Sequence, residues 1–421
     1  MHFWYKFFTY LFYPIAPIYL YFRTLNKKEH PVRFKEKLSK INTSRDKGFL
    51  IWFHVASVGE AMSILPLIEN CIKEKKINKI LLTSITLSSG KILEKKYKDN
   101  KKICHQFLPL DIPSLVKKFL KHWKPNLAIF VDSEIWPNLI FQIKKDKIPL
   151  LLFNARITEK TFRRWKFLKN FGQKVFNKFD LCIASNKESE NFLKILGAKN
   201  IKNYGNLKFL NSTNDLNHNL DSFLIDKIKN RKIWCAASTH PDEEKFCAES
   251  HLQIKNSYKN VLTIIIPRHI HRVKKIYSDL TKLNLKVALY SDVAKVNYDT
   301  DILLVDSYGE SLKFYNISKC VFVGKSLVKN LIDNSGQNPI EPAKFGCKIL
   351  HGPYIRNFTE IYEFLKTYGV TSKINTFQEL AASLVEEFRH DKDKNVEISE
   401  KIQNYGQNIF NNVIVEMKKY I

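Results

Sequence analysis

The hydrophobic pattern of this chain alternates between short, nearly continuous apolar runs and longer lysine-rich stretches whose apolar residues recur at helical spacing. The first strong run, residues 49–55, is aromatic and β-branched and too short for a helix, so it predicts a central strand buried on both faces. Runs of the same kind at 79–84, 127–131, 149–153 and 180–185 predict further strands separated by helical segments. Residues 211–221, rich in Asn, Ser and Asp, predict a linker spanning about 209–221. A second series of runs then follows at 232–237, 261–266, 302–305 and 320–324, and a helical segment from about 395 to 421 closes the chain. Strand–helix alternation of this kind predicts two consecutive, doubly wound, mostly parallel α/β domains, over 23–208 and 209–421. A length of 421 residues, long for one hydrophobic core, agrees with two.

Ahead of these domains, residues 1–22 differ in character. From 7 to 22 there is no charge, and Phe, Tyr, Leu and Ile crowd together. The stretch is shorter than the ~20 residues a spanning helix needs, and Pro14 and Pro17 interrupt it. Arg23, Lys27, Lys28, Arg33, Lys35 and Lys37 follow directly. Aromatic residues with a basic flank predict a segment lying in the headgroup region, with the rest of the chain on the cytoplasmic side. The competing expectation is a buried core helix. The whole chain carries a formal charge of +28, which favours an anionic partner. Because the lysines are spread over many helices, substrate and membrane surface rank above nucleic acid. Seven cysteines, an odd number with no C-x-x-C pair, argue against a disulfide framework or a zinc site.

Candidate chemistry sits in the turns that follow the predicted strands, the edge where open α/β sheets bind ligands. Ala56-Ser-Val-Gly-Glu60 follows the first run. Glu60 falls near a helix start, whose dipole favours the ionised carboxylate and would keep it a base near neutral pH. Gly59 leaves room for a substrate, and Ser57 is a candidate contact. An acid that merely complements the helix start is the plainer alternative. Pro66 predicts that this helix starts late or kinks. Asp132-Ser-Glu134 puts two acids beyond another strand, Asn154-Ala-Arg156 adds an arginine, and Lys208 lies at the end of the first domain. If the 132–134 turn is extended, Asp132 and Glu134 point the same way. In the second domain, Ser238 and Thr239 follow a strand, with Thr239 a helix N-cap whose free amides could hold a phosphate. Arg268 and His269 end the next strand, where a guanidinium can grip a phosphate bidentately. Tyr308-Gly309-Glu310 and Asn338-Pro339-Ile340-Glu341 lie beyond later strands, Glu341 suited to a ribose diol.

Taken together, Phe53-His-Val-Ala-Ser-Val-Gly-Glu60, Ser133-Glu-Ile-Trp-Pro-Asn-Leu139, Asn154-Ala-Arg156, Gly205-Asn-Leu-Lys-Phe209, Pro267-Arg-His269, Phe322-Val-Gly324 and Asn338-Pro-Ile-Glu-Pro342 resemble the 3-deoxy-D-manno-octulosonic acid (Kdo) transferases. The resemblance runs along nearly the whole chain, in the family's order and spacing. It implies a GT-B fold, two Rossmann-like domains facing a central cleft, with the acceptor on the first, the nucleotide on the second, and a last helix able to cross back to the first. It implies an inverting, metal-independent transfer of Kdo from CMP-Kdo to an anionic lipid A precursor, lipid IVA, at the cytoplasmic face of a bacterial inner membrane, with no cofactor.

By position, the resemblance makes Glu60 the general base. It gives Lys208 and the acid of the 132–134 turn the transition state to stabilise, with Glu134 a substitute for Asp132. It assigns CMP to Arg268, His269, Tyr308, Gly309, Glu310, Asn338, Pro339, Ile340 and Glu341. The chain departs from the family pattern at Asp132 (usually Glu), Tyr308 (Met), Lys325 (a second Gly) and Gln337 (His). Two alternatives are a GT-B transferase using a nucleotide-diphosphate sugar, and a basic membrane-bound scaffold without turnover.

Overall fold

The structure, a computed structural model, describes residues 1–41, 43–210, 219–390 and 396–421. It divides into two compact units, one formed by Met1–Asn211 with Tyr405–Ile421, the other by Ser212–Asn404. Most of the linker expected at 209–221 lies outside the described residues, and Leu207–Leu210 form a turn of 3₁₀-helix.

The first unit is built on a sheet of β1 (Phe49–Val55), β2 (Ile77–Ser84), β3 (Ile103–Phe107), β4 (Leu127–Val131), β5 (Leu150–Ala155), β6 (Leu181–Ala184) and β7 (Ile201–Asn203). All neighbours pair in parallel, in the order β3-β2-β1-β4-β5-β6-β7. Every residue of β4 and β5 is buried, and so is β1 from Leu50 onward, because helices cover both faces. The chain winds outward from β1 to β3, then returns to lay β4 on the other side of β1. That reversal opens a crevice beyond the carboxyl ends of β1 and β4.

The second unit repeats the plan. β8 (Lys232–Thr239), β9 (Val261–Pro267), β10 (Val287–Leu289), β11 (Ile302–Leu304), β12 (Cys320–Val323), β13 (Lys348–His351) and β14 (Thr371–Lys373) form a second parallel sheet. Its order is β10-β11-β9-β8-β12-β13-β14, so the reversal falls between β8 and β12.

Both sheets contain strands that the apolar-run pattern did not predict: β3, β7, β10, β13 and β14. Four of these are the sheet edges and β13 is next to one. An edge strand is covered less completely and can be short and polar, as Ile-Lys-Asn of β7 and Thr-Ser-Lys of β14 are. The helix Val58–Lys73 neither starts late nor stops at Pro66. Its Ser57 cap and its buried face (Ala61, Ile64, Leu67, Ile68, Cys71) outweigh one missing backbone donor.

The N-terminal stretch forms two short helices, His2–Leu11 and Ala16–Leu25. Each has a docked side. The Tyr5 hydroxyl donates to Asp111 at 2.8 Å, the Asn138 amide donates to the Thr9 hydroxyl at 2.8 Å, and Ala16 packs with Ile112 and Leu115. The other side leaves Phe3 70% and Phe8 62% exposed, with Trp4, Phe7, Tyr10, Leu11, Ile15, Ile18, Tyr21 and Phe22 exposed beside them. Among the described residues no helix is long and apolar enough to cross a membrane. The basic flank is partly internal. Lys37 is buried on Glu29 at 2.7 Å, Arg23 meets the same carboxylate at 2.8 Å, and Arg33 pairs with Glu36 at 2.6 Å. Burying a lysine requires a carboxylate partner, and Glu29 serves both Lys37 and the half-exposed Arg23 while Glu36 serves Arg33. Lys27, Lys28 and Lys35 remain exposed.

Candidate active site

The crevice beyond β1 and β4 gathers the first-domain candidates. Ser57 caps the helix Val58–Lys73, its hydroxyl oxygen accepting from the Glu60 amide at 3.3 Å. The Glu60 carboxylate reaches back, accepting from the Ala56 amide at 2.7 Å and the Ser57 hydroxyl at 2.8 Å. This is a variant of the capping box, with the return bond made to the amide just before the cap, and it locks the carboxylate at the head of the helix. The helix dipole and these donors do not keep Glu60 acidic, as the sequence suggested. Burial, with the charge of Asp132 next, pushes its pKa up to about 7, against the pull of the Ala56 and Ser57 bonds. A Cβ on the exposed Gly59 would meet nothing within 4 Å, so the approach over this turn is open.

Asp132 follows β4 with φ 63°, a left-handed conformation that aspartate tolerates better than most residues. The 132–134 turn is therefore not extended, and strand alternation does not decide where its two acids point. Burial raises Asp132 to about 6, opposed by the positive charges of Lys208 and Arg156. Glu134 is held differently. Its Oε2 lies 3.1 Å from His54 Nε2 and accepts from the Trp136 indole at 2.8 Å. Burial would raise Glu134, but the His54 and Trp136 bonds outweigh it and leave the carboxyl below its ordinary pKa. His54 is fully buried within β1 and fixed from its other nitrogen by Thr83 at 2.9 Å. Two acids two residues apart thus differ in kind. Glu134 is tied to the core, whereas Asp132 interacts with Lys208, Arg156 and Glu60.

Lys208 is carried on the Leu207–Leu210 turn. Burial lowers its pKa, while Asp132 and, more weakly, Glu60 pull the other way. That turn is anchored by Asn154 at the end of β5, which is buried with φ 52° and whose Oδ1 accepts from the Leu207 amide at 2.9 Å. From the other side the helix Val396–Lys418 presses on it, with Tyr405 edge-on to Phe209 at 5.1 Å. Gly205 and Gly406 allow this contact: a Cβ on the first would run into Tyr405, and on the second into the Phe209 carbonyl.

In the second unit, the turns after β8, β9 and β12 lie side by side. The Arg268 amide donates to the Thr239 carbonyl at 3.0 Å, and the Gly324 amide to the Ala237 carbonyl at 2.8 Å. Arg268 and His269 are exposed. His269 lies 5.7 Å ring to ring from His240 and 5.6 Å from His271. Thr239 is not a helix cap, as the sequence suggested. It is the buried last residue of β8, its hydroxyl donating to Glu244 at 2.9 Å, and the helix begins only at Glu243, with Asp242 in the cap position. The amides nearby are also taken. Buried Glu243 accepts from the amides of His240 (2.9 Å), Lys325 (2.7 Å), Ser326 (2.9 Å) and Leu327 (3.0 Å). A carboxylate built into the chain occupies the place the sequence reading gave to a phosphate. Ser238 sits beside it at φ 57°.

The remaining second-domain candidates spread along the same edge. Tyr308 is 64% exposed, and Gly309, at φ 89°, has open space around it. Glu310 pairs with Lys313 at 2.8 Å. Asn338 accepts from the Ile340 amide at 3.2 Å, while Ile340 and Pro339 are buried, so their side chains belong to the core. Burial raises the pKa of Glu341 against the pull of Lys344. Among the described residues no three His, Cys, Asp or Glu side chains gather as metal ligands.

A family model described as 3-deoxy-D-manno-octulosonic-acid transferase (kdotransferase) matches residues 32–211. A 3-deoxy-D-manno-octulosonic acid transferase of Rickettsia bellii is 33% identical over 404 residues, covering 96% of this chain and 93% of that relative. The chain belongs to the Kdo transferase family. A Haemophilus influenzae member is 29% identical over 96% of this chain and 94% of its own length. Among solved structures, a UDP-N-acetylglucosamine 2-epimerase of Listeria monocytogenes, described as putative, aligns with TM-score 0.62 at 12% identity, over 89% of this chain and 97% of that one. The Neisseria meningitidis UDP-GlcNAc 2-epimerase gives 0.57 at 13%, over 87% and 100%. These likenesses show the fold, GT-B-like with two parallel-sheet domains, and the family makes the chain a glycosyltransferase of lipopolysaccharide biosynthesis.

For a Kdo transferase, the structure brings Glu60, Asp132, Arg156 and Lys208 together, with Ser57 and Gly59 at the same turn. Sequence reading missed His54 and Glu243. A histidine in an otherwise apolar central strand is a detectable signal, since a buried imidazole needs a partner on each nitrogen. Glu243 gave none, because an acid at a helix start is ordinary.

Proposed function

We propose that this Kdo transferase moves Kdo from CMP-Kdo to a lipid A precursor, lipid IVA, at the cytoplasmic face of the inner membrane. The observation that carries the chemistry is Glu60, fixed by the Ser57 cap at the sheet's switch point and raised to about 7 beside Asp132. A general base works best with a pKa near the operating pH. Glu60 takes the proton of the acceptor hydroxyl as its oxygen forms a bond to the anomeric carbon. The bond from that carbon to the CMP phosphate breaks, and the electron pair leaves with CMP. Direct displacement of this kind inverts the anomeric centre. Lys208 and Arg156, whose charges act on Asp132, supply positive charge for the negative charge that builds on the departing group, while the anomeric carbon itself becomes more positive. CMP carries a single phosphate, and Arg268 meets its charge without a metal. The decisive test is incubation with lipid IVA and freshly generated CMP-Kdo. A lipid product heavier by one or more Kdo units supports the proposal, and no mass change overturns it.

The donor half is tested by Arg268→Ala, expected to weaken CMP binding by about 2 kcal/mol, roughly 30-fold, for a charge-assisted contact. Calorimetry showing unchanged CMP affinity in the folded variant removes Arg268 from the site.

The membrane half is supported by the exposed aromatic side of the two N-terminal helices. Changing Phe3, Trp4, Phe7 and Phe8 to Ser leaves the Tyr5 and Thr9 attachments in place and is expected to release the protein from anionic vesicles. A variant that sediments with vesicles as fully as wild type at physiological salt sinks this idea.

A further inference from the structure

Lys325 holds a conformation that its side chain does not favour. It follows β12 with φ 58°, left-handed, where glycine is the unstrained residue and a lysine is strained. The place is built to hold it. Gly324, just before it, has no room for a Cβ, which would fall 2.6 Å from the Ser238 carbonyl oxygen and 2.8 Å from Glu243 Oε2. Glu243 then grips the Lys325 amide at 2.7 Å, and the Lys325 carbonyl accepts from the Gly336 amide at 2.8 Å. These bonds set Lys325 at the carboxyl end of β12, beside the end of β8, at the reversal point of the second sheet.

The side-chain charges that act on Lys325 and on its neighbour His240 are positive. Burial lowers the Lys325 pKa, and Arg268 lowers it further. His240 is pushed down to about 4, by burial first and then with help from Lys325, His269 and Arg272. Among the described residues no carboxylate lies within 4 Å of the Lys325 ammonium or the Arg268 guanidinium. Of the two acids at this edge, buried Glu243 is taken by four backbone amides, and Glu244 is spent on Arg272 at 2.8 and 2.9 Å. Arg268 beyond β9 and the strained Lys325 beyond β12, on the two strands that flank β8, put two cations at one sheet edge with no carboxylate among the described residues paired to either side chain, and so form a site for an anion.

We infer that Lys325 is a second phosphate-binding cation of the donor site, acting with Arg268 on the phosphate of the cytidine nucleotide. This rests on the CMP-Kdo reading above. It adds a residue that the motif resemblance does not supply, at a position where the chain departs from the family pattern.

Lys325→Gly separates binding from folding. Glycine relieves the left-handed strain, so the thermal midpoint is expected to hold or rise, while the Kd for CMP rises about tenfold, a 1.4 kcal/mol loss. Cytidine, which has no phosphate, is expected to bind wild type and variant alike, and Lys325→Arg to restore most of the CMP affinity. Lys325→Gly binding CMP as tightly as wild type overturns this inference alone. Equal loss for CMP and cytidine also overturns it, since the role would then be structural. A wild-type protein with no affinity for CMP overturns the donor reading and this inference with it.

Discussion

Glu60→Gln lowers turnover by about 10²–10⁴ while leaving CMP affinity within error, because the amide keeps the shape of the side chain and removes the base. The cap at Ser57 keeps an acceptor in the Gln side chain, so loss of activity through loss of the helix start is not the expected route. The wild-type rate carries a signature of the same group. With Glu60 at about 7, kcat falls as pH drops through that value and the base is protonated. The variant's residual rate lacks that limb. Stability has the opposite sign. A carboxyl whose folded pKa lies above its ordinary value of 4.5 binds protons more tightly in the folded state. Its contribution is therefore lost as pH rises from about 4.5 through about 7, and Glu60→Gln removes that slope. Near-normal turnover in a folded Glu60→Gln would falsify the general-base role.

Asp132→Asn is expected to cut turnover by about 10²–10³, a loss of a few kcal/mol of electrostatic stabilisation, with CMP binding unchanged. Asp132 is the acid that interacts with Lys208, Arg156 and Glu60, whereas Glu134 is bonded to His54 and Trp136. The asparagine also takes a negative charge away from Glu60. Because that charge helps to hold Glu60 up, the acid limb of the pH–rate profile moves to lower pH. A merely structural Asp132 would lower the rate without moving the limb. Glu134→Gln is the contrasting variant. It breaks a buried pair with His54, so its main expected effect is a lower thermal midpoint. Single-turnover rates in which Glu134→Gln loses chemistry and Asp132→Asn does not would transfer the role to Glu134.

The strands readable in the sequence were those buried on both faces. Phe49–Val55 and Leu127–Val131 are nearly unbroken apolar runs because helices cover both sides of them. Edge strands such as Val287–Leu289 were invisible, since three residues with one fully buried give no period to detect. At the site, the resemblance placed Glu60, Asp132 and Lys208 at their turns. It could not say which acid of the Asp132-Ser-Glu134 turn is free to act. That was decided by His54 and Trp136, which meet Glu134 from the neighbouring strand and from two residues on.

By itself, then, the sequence determined the family, the two α/β domains and the turns that carry the chemistry, because apolar period and motif spacing are local properties of the chain. The tertiary structure decided the protonation of those groups. Helix-dipole reasoning from Glu60's position gave an ordinary carboxylate, whereas burial together with Asp132, seventy-two residues away in the chain, brings it to about 7. Likewise, Ser238-Thr-His240 reads as a phosphate turn until Glu243 folds back onto its amides and those of Lys325–Leu327. A pKa and an anion site depend on which charges and donors meet in space, and only the packed sheets bring those groups together.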